Sequence, residues 1–260
     1  MGLRMILVGT NGFQHRDWVP VFYPPALDPR FRLEYYSRYF GCCELNITYH
    51  RLPEPATIQD LMEGSRGVLQ FVFRVPFRLL EDLPDNAELA RKFAASLWPL
   101  KESGQLTAVL AQYGADFGFI RDNFSRLCLL RDSLEGIPLV ADFVCPEWSA
   151  PRAAKHLDAA RIALACGDGV PLRNGAGFFC ATAGLAYVRF QGRNYSRWLK
   201  GDGSAQHDYL YSRAELASAV PEIRRLEEEN EKVLVIMNNP SRGQAPTNAR
   251  TLRQLLDSNE

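Results

Sequence analysis

The chain has 260 residues, of which 47% are hydrophobic and 23% charged, a composition typical of a globular protein with a sizeable core. Its 30 Lys and Arg residues balance its 30 Asp and Glu residues. That balance excludes a global field that would recruit nucleic acid or an anionic membrane, although it leaves room for a local patch. No apolar run approaches the ~18 residues that span a bilayer, and the N-terminus lacks the cleavage site of a signal peptide.

The cysteines and histidines point to a reduced protein without a metal. None of the cysteines has Cys-x-x-Cys spacing, and four lie in apolar runs typical of strands, so we expect mostly buried thiols in a cytoplasmic protein. The histidines are scattered, which predicts no metal site, and no nucleotide or cofactor motif is present. The cysteines are Cys42, Cys43, Cys128, Cys145, Cys166 and Cys180.

Short apolar runs alternate with longer helical patterns along the chain. The runs are nearly continuous in Val, Ile, Leu, Phe and Ala, as is typical of strands buried on both faces of a parallel sheet. The predicted strands are Met5–Gly9, Cys42–Asn46, Leu69–Val75, Thr107–Gln112, Pro138–Asp142, Arg161–Cys166, Leu185–Phe190 and Val233–Met237.

Helical patterns fill most of the gaps between these strands. Ser212, with Glu215 three residues later, predicts a capped helix start, whereas the Gly-rich stretch Val170–Gly184 predicts an irregular or very short crossover. The alternation predicts an α/β fold, a closed (β/α)₈ TIM barrel that forms a single domain over residues 1–260. The predicted helices are Pro29–Phe40, Pro55–Glu63, Asn86–Ser103, Asp116–Leu134, Ala150–Leu157, Arg213–Glu231 and Pro246–Leu256.

In such a barrel, functional residues collect at the mouth formed by the C-terminal ends of the strands. We take Glu44, Asp142 and Arg189 as the candidate catalytic residues, with a carboxylate transferring a proton and the arginine stabilising charge. A charge within an apolar strand is costly unless it is paired. Glu44 therefore has a structural alternative, in which it pairs with Arg74 on the neighbouring strand.

Six further polar residues at the strand ends are candidates for binding a substrate. For Asn46 and Gln112, the alternative is that they satisfy backbone groups at the mouth. The candidates are Asn46, Arg74, Gln112, Gln191, Asn238 and Asn239.

A glycine-containing loop leads from the eighth strand into a helix. Barrels often hold a phosphate at this place, with backbone N–H groups pointing at the anion. Arg242, Gly243 and Gln244 are therefore candidate phosphate ligands, Arg242 as a bidentate clamp. The alternative is an ordinary polar turn with an exposed arginine. Aromatic residues predicted near the same mouth, including Trp18 and Tyr23, could stack on a ligand, although packing in the core is the favoured explanation for most of them.

Taken in order, these segments resemble the YecE-like family, a domain of unknown function (number 72) with a TIM-barrel fold, over nearly the whole chain. The matching segments are Gly9-Thr10-x-Gly12-Phe13, Asp17-Trp18, Phe22-Tyr23-Pro24, Leu33-Glu34-Tyr35-Tyr36, Glu44-Leu45-Asn46, Tyr49-x-Arg51-Leu52-Pro53, Gln112, Tyr187-Val188-Arg189, Gly192-Arg193-Asn194, Asp208-Tyr209-Leu210-Tyr211-Ser212, Asn238-Asn239, Arg242-Gly243-Gln244-Ala245 and Asn248-Ala249.

The chain departs from the family pattern at residues with chemical potential. Pro76 stands where the third strand of the family usually ends with Lys, and Gln191 stands where the seventh usually carries His. The fifth strand commonly reads Glu-Phe-Arg-His, whereas this chain has Asp142-Phe143-Val144-Cys145. We therefore expect a mouth without Lys or His, in which Arg74 replaces the lost positive charge.

Three functions are compatible with this pattern. The first is an enzyme that acts on a small anionic, phosphorylated or sugar-like, substrate; without Lys or His at the mouth, a carboxylate would need its pKa raised by burial. The second is a binding protein that has lost catalysis but kept the cavity. The third is a single-stranded nucleic-acid binder, which the neutral net charge does not favour. The sequence indicates no membrane partner and leaves the oligomeric state open.

Overall fold

Eight parallel strands hydrogen-bond in chain order, and the last pairs with the first to close a barrel. The strand order confirms the predicted closed α/β barrel. The computed structural model describes residues 5–82, 84–168, 177–200 and 203–258. The strands are β1 (Met5–Asn11), β2 (Cys42–Leu45), β3 (Gln70–Arg74), β4 (Leu106–Tyr113), β5 (Leu139–Phe143), β6 (Ile162–Asp168), β7 (Leu185–Phe190) and β8 (Lys232–Met237).

Helices surround the barrel and cover its outer face. Among the described residues, none of the helices is both long and apolar enough to cross a membrane. The α-helices are α1 (Arg32–Ser37), α2 (Pro55–Gly64), α3 (Phe77–Glu81), α4 (Ala87–Glu102), α5 (Arg121–Ser133), α6 (Pro151–Ala159), α7 (Tyr195–Lys200), α8 (Arg213–Glu229) and α9 (Gln244–Asp257).

The helices differ from the prediction at several positions. The predicted helix Pro29–Phe40 is a 3₁₀ turn, Pro29–Phe31, followed by the short α1. The predicted helix beginning at Asp116 begins at Arg121, because the preceding loop tucks Phe117 against Tyr113 with ring centroids 4.0 Å apart. Helices α3 and α7 were not predicted, since each is too short to show a helical period. The first part of the predicted irregular crossover, residues 170–176, lies outside the described residues.

The start of α8 follows the predicted capping chemistry. The Ser212 hydroxyl accepts from the backbone N–H of Glu215, and the Glu215 carboxylate accepts from the backbone N–H of Ser212. Two otherwise unpaired backbone donors at the helix start are thereby satisfied.

The alternation of side chains along each strand decides what enters the barrel. Cys42, Val72 and Leu110 belong to the apolar cluster inside the barrel. Residues two positions further along each strand share that direction and lie nearer the mouth. Glu44, Arg74 and Gln112 therefore point inward, as was expected of Arg74.

Close contact between β1 and β2 depends on Gly9. A Cβ atom at this position would lie 1.8 Å from the carbonyl oxygen of Cys42, far inside van der Waals contact. The glycine therefore lets the two strands pair at the register that places Asn11 beside Glu44.

Candidate functional site

A cavity of about 460 Å³ opens at the C-terminal ends of the strands, within the size range of small-molecule sites. Among the residues predicted for the site, it brings together Arg74, Gln112, Asp142, Arg189, Gln191 and Asn238. The sequence did not single out most of the remaining lining residues, which are Asn11, Tyr49, Tyr113, Gly114, Phe143, Val144, Gln206, His207 and Pro240.

Arg189 bridges two carboxylates in the floor of this cavity. Its Nη2 donates to Glu44 Oε1 at 2.8 Å and its Nη1 to Asp142 Oδ2 at 2.5 Å, with side-chain exposures of 2%, 0% and 6%. Tyr187 also donates to Glu44, at 2.7 Å, and Gln112 to Asp142, at 3.1 Å. Burial alone would lower the pKa of Arg189, but the charges of Glu44 and Asp142 raise it above its ordinary value. The guanidinium is therefore permanently charged.

Glu44 lies beneath the cavity rather than on its surface. It is fully buried and does not line the cavity. One oxygen of its carboxylate accepts a hydrogen bond from Arg189 and the other accepts one from Tyr187. This geometry favours the structural alternative for Glu44 over a catalytic one.

The expected pairing of Arg74 with Glu44 is wrong. Arg74 does enter the mouth, but its guanidinium carbon lies 3.8 Å from the centroid of the Tyr49 ring, while Arg189 takes the Glu44 carboxylate. Within the described part of the chain, Arg74 forms no ion pair, and its buried Nε has no hydrogen-bond partner. Burial lowers the pKa of Arg74, against the opposing effect of Tyr49.

A directed chain of side-chain amides runs around the mouth and ends at Asp142. Gln191 Nε2 donates to Asp142 Oδ2 at 3.2 Å, and Asn238 Nδ2 donates to Gln191 Oε1 at 2.8 Å. Asn11 then donates to Asn238 at 2.6 Å, and Asn46 donates to Asn11 at 2.9 Å. Because a carboxylate can only accept hydrogen bonds, Asp142 fixes the orientation of every amide behind it. Asn46 belongs to this chain although it does not line the cavity.

The expectation of a mouth without histidine is also wrong. His207 enters the cavity from the loop that follows β7, where a 3₁₀ helix spans Gly203–His207. Its Nδ1 lies 2.8 Å from the carbonyl oxygen of Gln191, so Nδ1 carries the proton and Nε2 is the acceptor. Burial lowers the pKa of His207 from its ordinary 6.5, which the bond to the Gln191 carbonyl opposes. The imidazole is therefore neutral at pH 7, with its acceptor nitrogen fixed.

Periodicity could not reveal His207, because it lies in an irregular loop. The available signal was its position directly before Asp208-Tyr209, a segment that matches the family pattern.

The predicted phosphate loop after β8 is turned away from the mouth. The backbone N–H of Arg242 donates to Asp17 at 2.6 Å, and its guanidinium donates to Asp208 at 2.6 Å. Gln244 also donates to Asp208, at 2.9 Å, and Gly243 packs so closely that a Cβ atom there would lie 2.8 Å from Val21. None of the three predicted phosphate ligands lines the cavity.

Asn239 does not line the cavity, and its side chain joins elements of the fold. Its amide nitrogen donates to the carbonyl oxygen of Tyr209 at 2.7 Å and to Asn248 at 2.9 Å. Fully buried, it joins the end of β8 to α9 and to the loop before α8.

The aromatic residues are mostly core. Trp18, Tyr23 and Trp148 are buried to within 1% exposure, and Trp18 donates through Nε1 to the carbonyl oxygen of Pro240. Tyr49 and Tyr113 are the tyrosines that line the cavity within the described residues. The same described ranges contain no group of three or more His, Cys, Asp and Glu side chains that could hold a metal ion.

The closed parallel barrel and its polar, arginine-containing mouth define a protein of the TIM-barrel class. The chain belongs to the family described as "Protein of unknown function DUF72", whose model matches residues 7–260. It is 24% identical to UPF0759 protein YunF of Bacillus subtilis (strain 168), over 97% of this chain and 95% of that one.

Solved structures agree with this assignment. The chain is similar to a DUF72 family protein from Thermotoga maritima MSB8, with 30% identity, a TM-score of 0.87 and coverage of 98% of this chain and 100% of that one. A DUF72 family protein from Enterococcus faecalis V583 has the same fold, with 23% identity, a TM-score of 0.85 and coverage of 98% and 97%.

Proposed function

We propose that the protein is an enzyme that binds a small anionic molecule, phosphorylated or sugar-like, at the mouth of the barrel. The observation that carries this proposal is a pair of buried N–H groups, Arg74 Nε and Arg189 Nε, on residues that line the cavity. Neither has a hydrogen-bond acceptor among the described residues. A buried donor without an acceptor costs about 1–3 kcal/mol, so a ligand that supplies acceptor oxygens recovers that energy on binding.

The balance of charge selects Arg74 as the anion anchor. Arg189 is already neutralised by Glu44 and Asp142. Arg74 keeps its charge without a carboxylate partner in the described ranges, and stacking on Tyr49 holds its plane. A planar guanidinium held in this way matches the two oxygens of a phosphate or carboxylate.

His207 takes the proton-transfer role that we expected of a carboxylate. It is neutral, its Nε2 is the acceptor, and Gln206 donates to that nitrogen at 3.1 Å. A ligand hydroxyl that replaces the Gln206 amide can deliver its proton to Nε2. Asp142 accepts a hydrogen bond from the Gln191 side chain, and the backbone carbonyl oxygen of Gln191 orients His207.

The second candidate is a binding protein without turnover. It is favoured by the ion pairing of both carboxylates with Arg189, which leaves neither available for proton transfer. Nucleic-acid binding is less favoured, because most aromatic residues that could stack on bases are buried in the core.

We further propose a reducing, cytoplasmic location. It is supported by the six cysteines, four of which are buried.

Calorimetric titration with glucose 6-phosphate tests the anion anchor. We expect Arg74→Gln to weaken binding at least about tenfold. Arg213→Gln, which removes an exposed charge outside the cavity, should leave affinity unchanged. Equal affinity in wild type and Arg74→Gln would refute the proposal.

Turnover separates the two candidates. Conversion of the sugar phosphate is followed by ³¹P and ¹H NMR during incubation with wild type and with His207→Gln. Conversion that disappears in the variant supports the enzyme, whereas binding without conversion in the wild type supports the binding protein.

A further inference from the structure

A second, smaller cavity of about 150 Å³ adjoins the mouth, and Tyr49 lines both. It lies between the loop that follows β2 and the start of α3. Its lining contains three basic side chains and no acidic one: Tyr49, His50, Arg51, Leu52, Pro76, Phe77, Arg78 and Leu89.

The two arginines of this second cavity are uncompensated. Over the described ranges, neither Arg51 nor Arg78 has a carboxylate within 4.0 Å or a side-chain hydrogen bond, in contrast to Arg193, which pairs with Asp168 at 2.7 Å. Two unpaired guanidinium groups lining one small concavity create a positive potential there. The cavity therefore has the charge and the size for a single anionic group.

The wall between the two cavities is held in place. Arg74 stacks on the Tyr49 ring, and the rings of His50 and Phe77 contact Tyr49 with centroids 4.7 Å and 5.8 Å away. The backbone N–H of Phe77 donates to the carbonyl oxygen of Tyr49 at 3.0 Å. This bond joins the loop after β2 to α3, so both cavities keep a fixed relation to the same ring.

We propose that the mouth and the second cavity are two subsites for one ligand, a small molecule with an anionic group at each end. Arg74 binds one group, Arg51 and Arg78 bind the other, and the body of the ligand passes the edge of Tyr49. The proposal rests on the function proposed above and narrows it to doubly anionic ligands. Each anionic group of the ligand is a phosphate or a carboxylate, since both present the oxygen acceptors that a guanidinium binds.

Paired probes test it by calorimetry at fixed ionic strength. Fructose 6-phosphate is compared with fructose 1,6-bisphosphate, and propionate with succinate. We expect the doubly anionic member of at least one pair to bind about tenfold more tightly or better. A gain in the first pair alone identifies phosphate, and a gain in the second alone identifies carboxylate.

The double variant R51A/R78A should abolish that gain and leave the affinity for the singly anionic probe unchanged. Both residues are exposed, so the variant should fold, which its thermal unfolding checks. The control R121A/R213A removes the same number of exposed charges outside both cavities and should keep the gain.

The outcomes separate this inference from the function on which it rests. No gain from the second anionic group, or a gain that survives in R51A/R78A, overturns the two-subsite proposal. If the singly anionic probe still binds and Arg74→Gln weakens it, the anion anchor stands alone. If no probe of either pair binds, both proposals fall.

Discussion

Arg189 and Glu44 meet inside the barrel from strands that are not neighbours, with Nη2 of the arginine 2.8 Å from Oε1 of the glutamate. The second arm of the same guanidinium holds Asp142. One planar side chain thus braces β2, β5 and β7 directly below the mouth. The brace explains why charged residues are tolerated in strands that are otherwise apolar.

Arg189→Met should be severely destabilising. It leaves the Glu44 and Asp142 carboxylates buried without their cation, which typically costs about 3–5 kcal/mol. The free energy of unfolding, measured by urea denaturation, should fall by that amount. As a control, Arg91→Met removes an exposed arginine that pairs with the exposed Glu88 and should cost at most about 1 kcal/mol. Similar losses in the two variants would contradict the brace.

Asn238→Asp should break the directed amide chain. The new oxygen would face Gln191 Oε1, and turning the Gln191 amide would set its oxygen against Asp142. With no orientation that satisfies all three groups, we expect a loss of about 1–3 kcal/mol or more in the free energy of unfolding. Asn46→Asp lies at the exposed end of the series of amides. It should lower the free energy of unfolding by less, because water can solvate the new charge. An equal cost at Asn238 and Asn46 would refute the directed chain of amides.

The depressed pKa of His207 should make stability depend on pH. The folded state resists protonation and the unfolded histidine titrates near 6.5, so between the two pKa values the unfolded state binds more protons. The stabilisation is present above pH 6.5 and is lost as the pH falls through the folded-state value. The free energy of unfolding should therefore decrease between pH 7.5 and pH 5.

His207→Gln should flatten this dependence, whatever its effect on the absolute stability. His156→Gln, at an exposed position on α6, serves as the control and should retain the wild-type slope. If the slope between pH 7.5 and pH 5 is the same in His207→Gln as in wild type, the imidazole is not held neutral by its surroundings.

Gly9→Ala should disrupt the pairing of β1 with β2. The added Cβ atom meets a backbone carbonyl, which cannot rotate away, and we expect a loss of about 3 kcal/mol or more in the free energy of unfolding. Gly67→Ala adds a Cβ atom that meets nothing within 4 Å, at a φ of +73°, and should cost only about 1–2 kcal/mol for the left-handed backbone. Thermal unfolding of the two variants compares the two losses of stability. A loss in Gly9→Ala no larger than in Gly67→Ala would contradict the role of close contact between β1 and β2.

The fold could be predicted because most strands are nearly continuous apolar runs that alternate with helical patterns, as is typical of a parallel sheet buried on both faces. The place of Arg74 at the mouth was also predicted, from its parity with the position at which the family usually has Lys. Helix starts were harder to predict. Asp116 looks like a cap, yet burial of Phe117 in the preceding loop delays α5 to Arg121.

The partners of the site residues could not be predicted, because they are set by distances across the barrel. Sequence placed Arg74 and Glu44 on adjacent strands, but Arg189, 145 residues from Glu44, reaches the carboxylate instead. The backbone N–H of Arg242 likewise donates to Asp17, 225 residues away. His207 was missed since a loop side chain gives no periodic signal of where it points.

The amide chain around the mouth crosses the seam at which the barrel closes. Asn11 on β1 bonds to Asn238 after β8, although 227 residues separate them. A fragment that lacks either terminal strand would therefore lose both sheet pairing and the orientation of Gln191 and Asp142. Contacts between such distant segments form late in folding because closing long loops is entropically costly. The binding surface is thus completed only when the two ends of the polypeptide meet, and an unfinished barrel cannot present it.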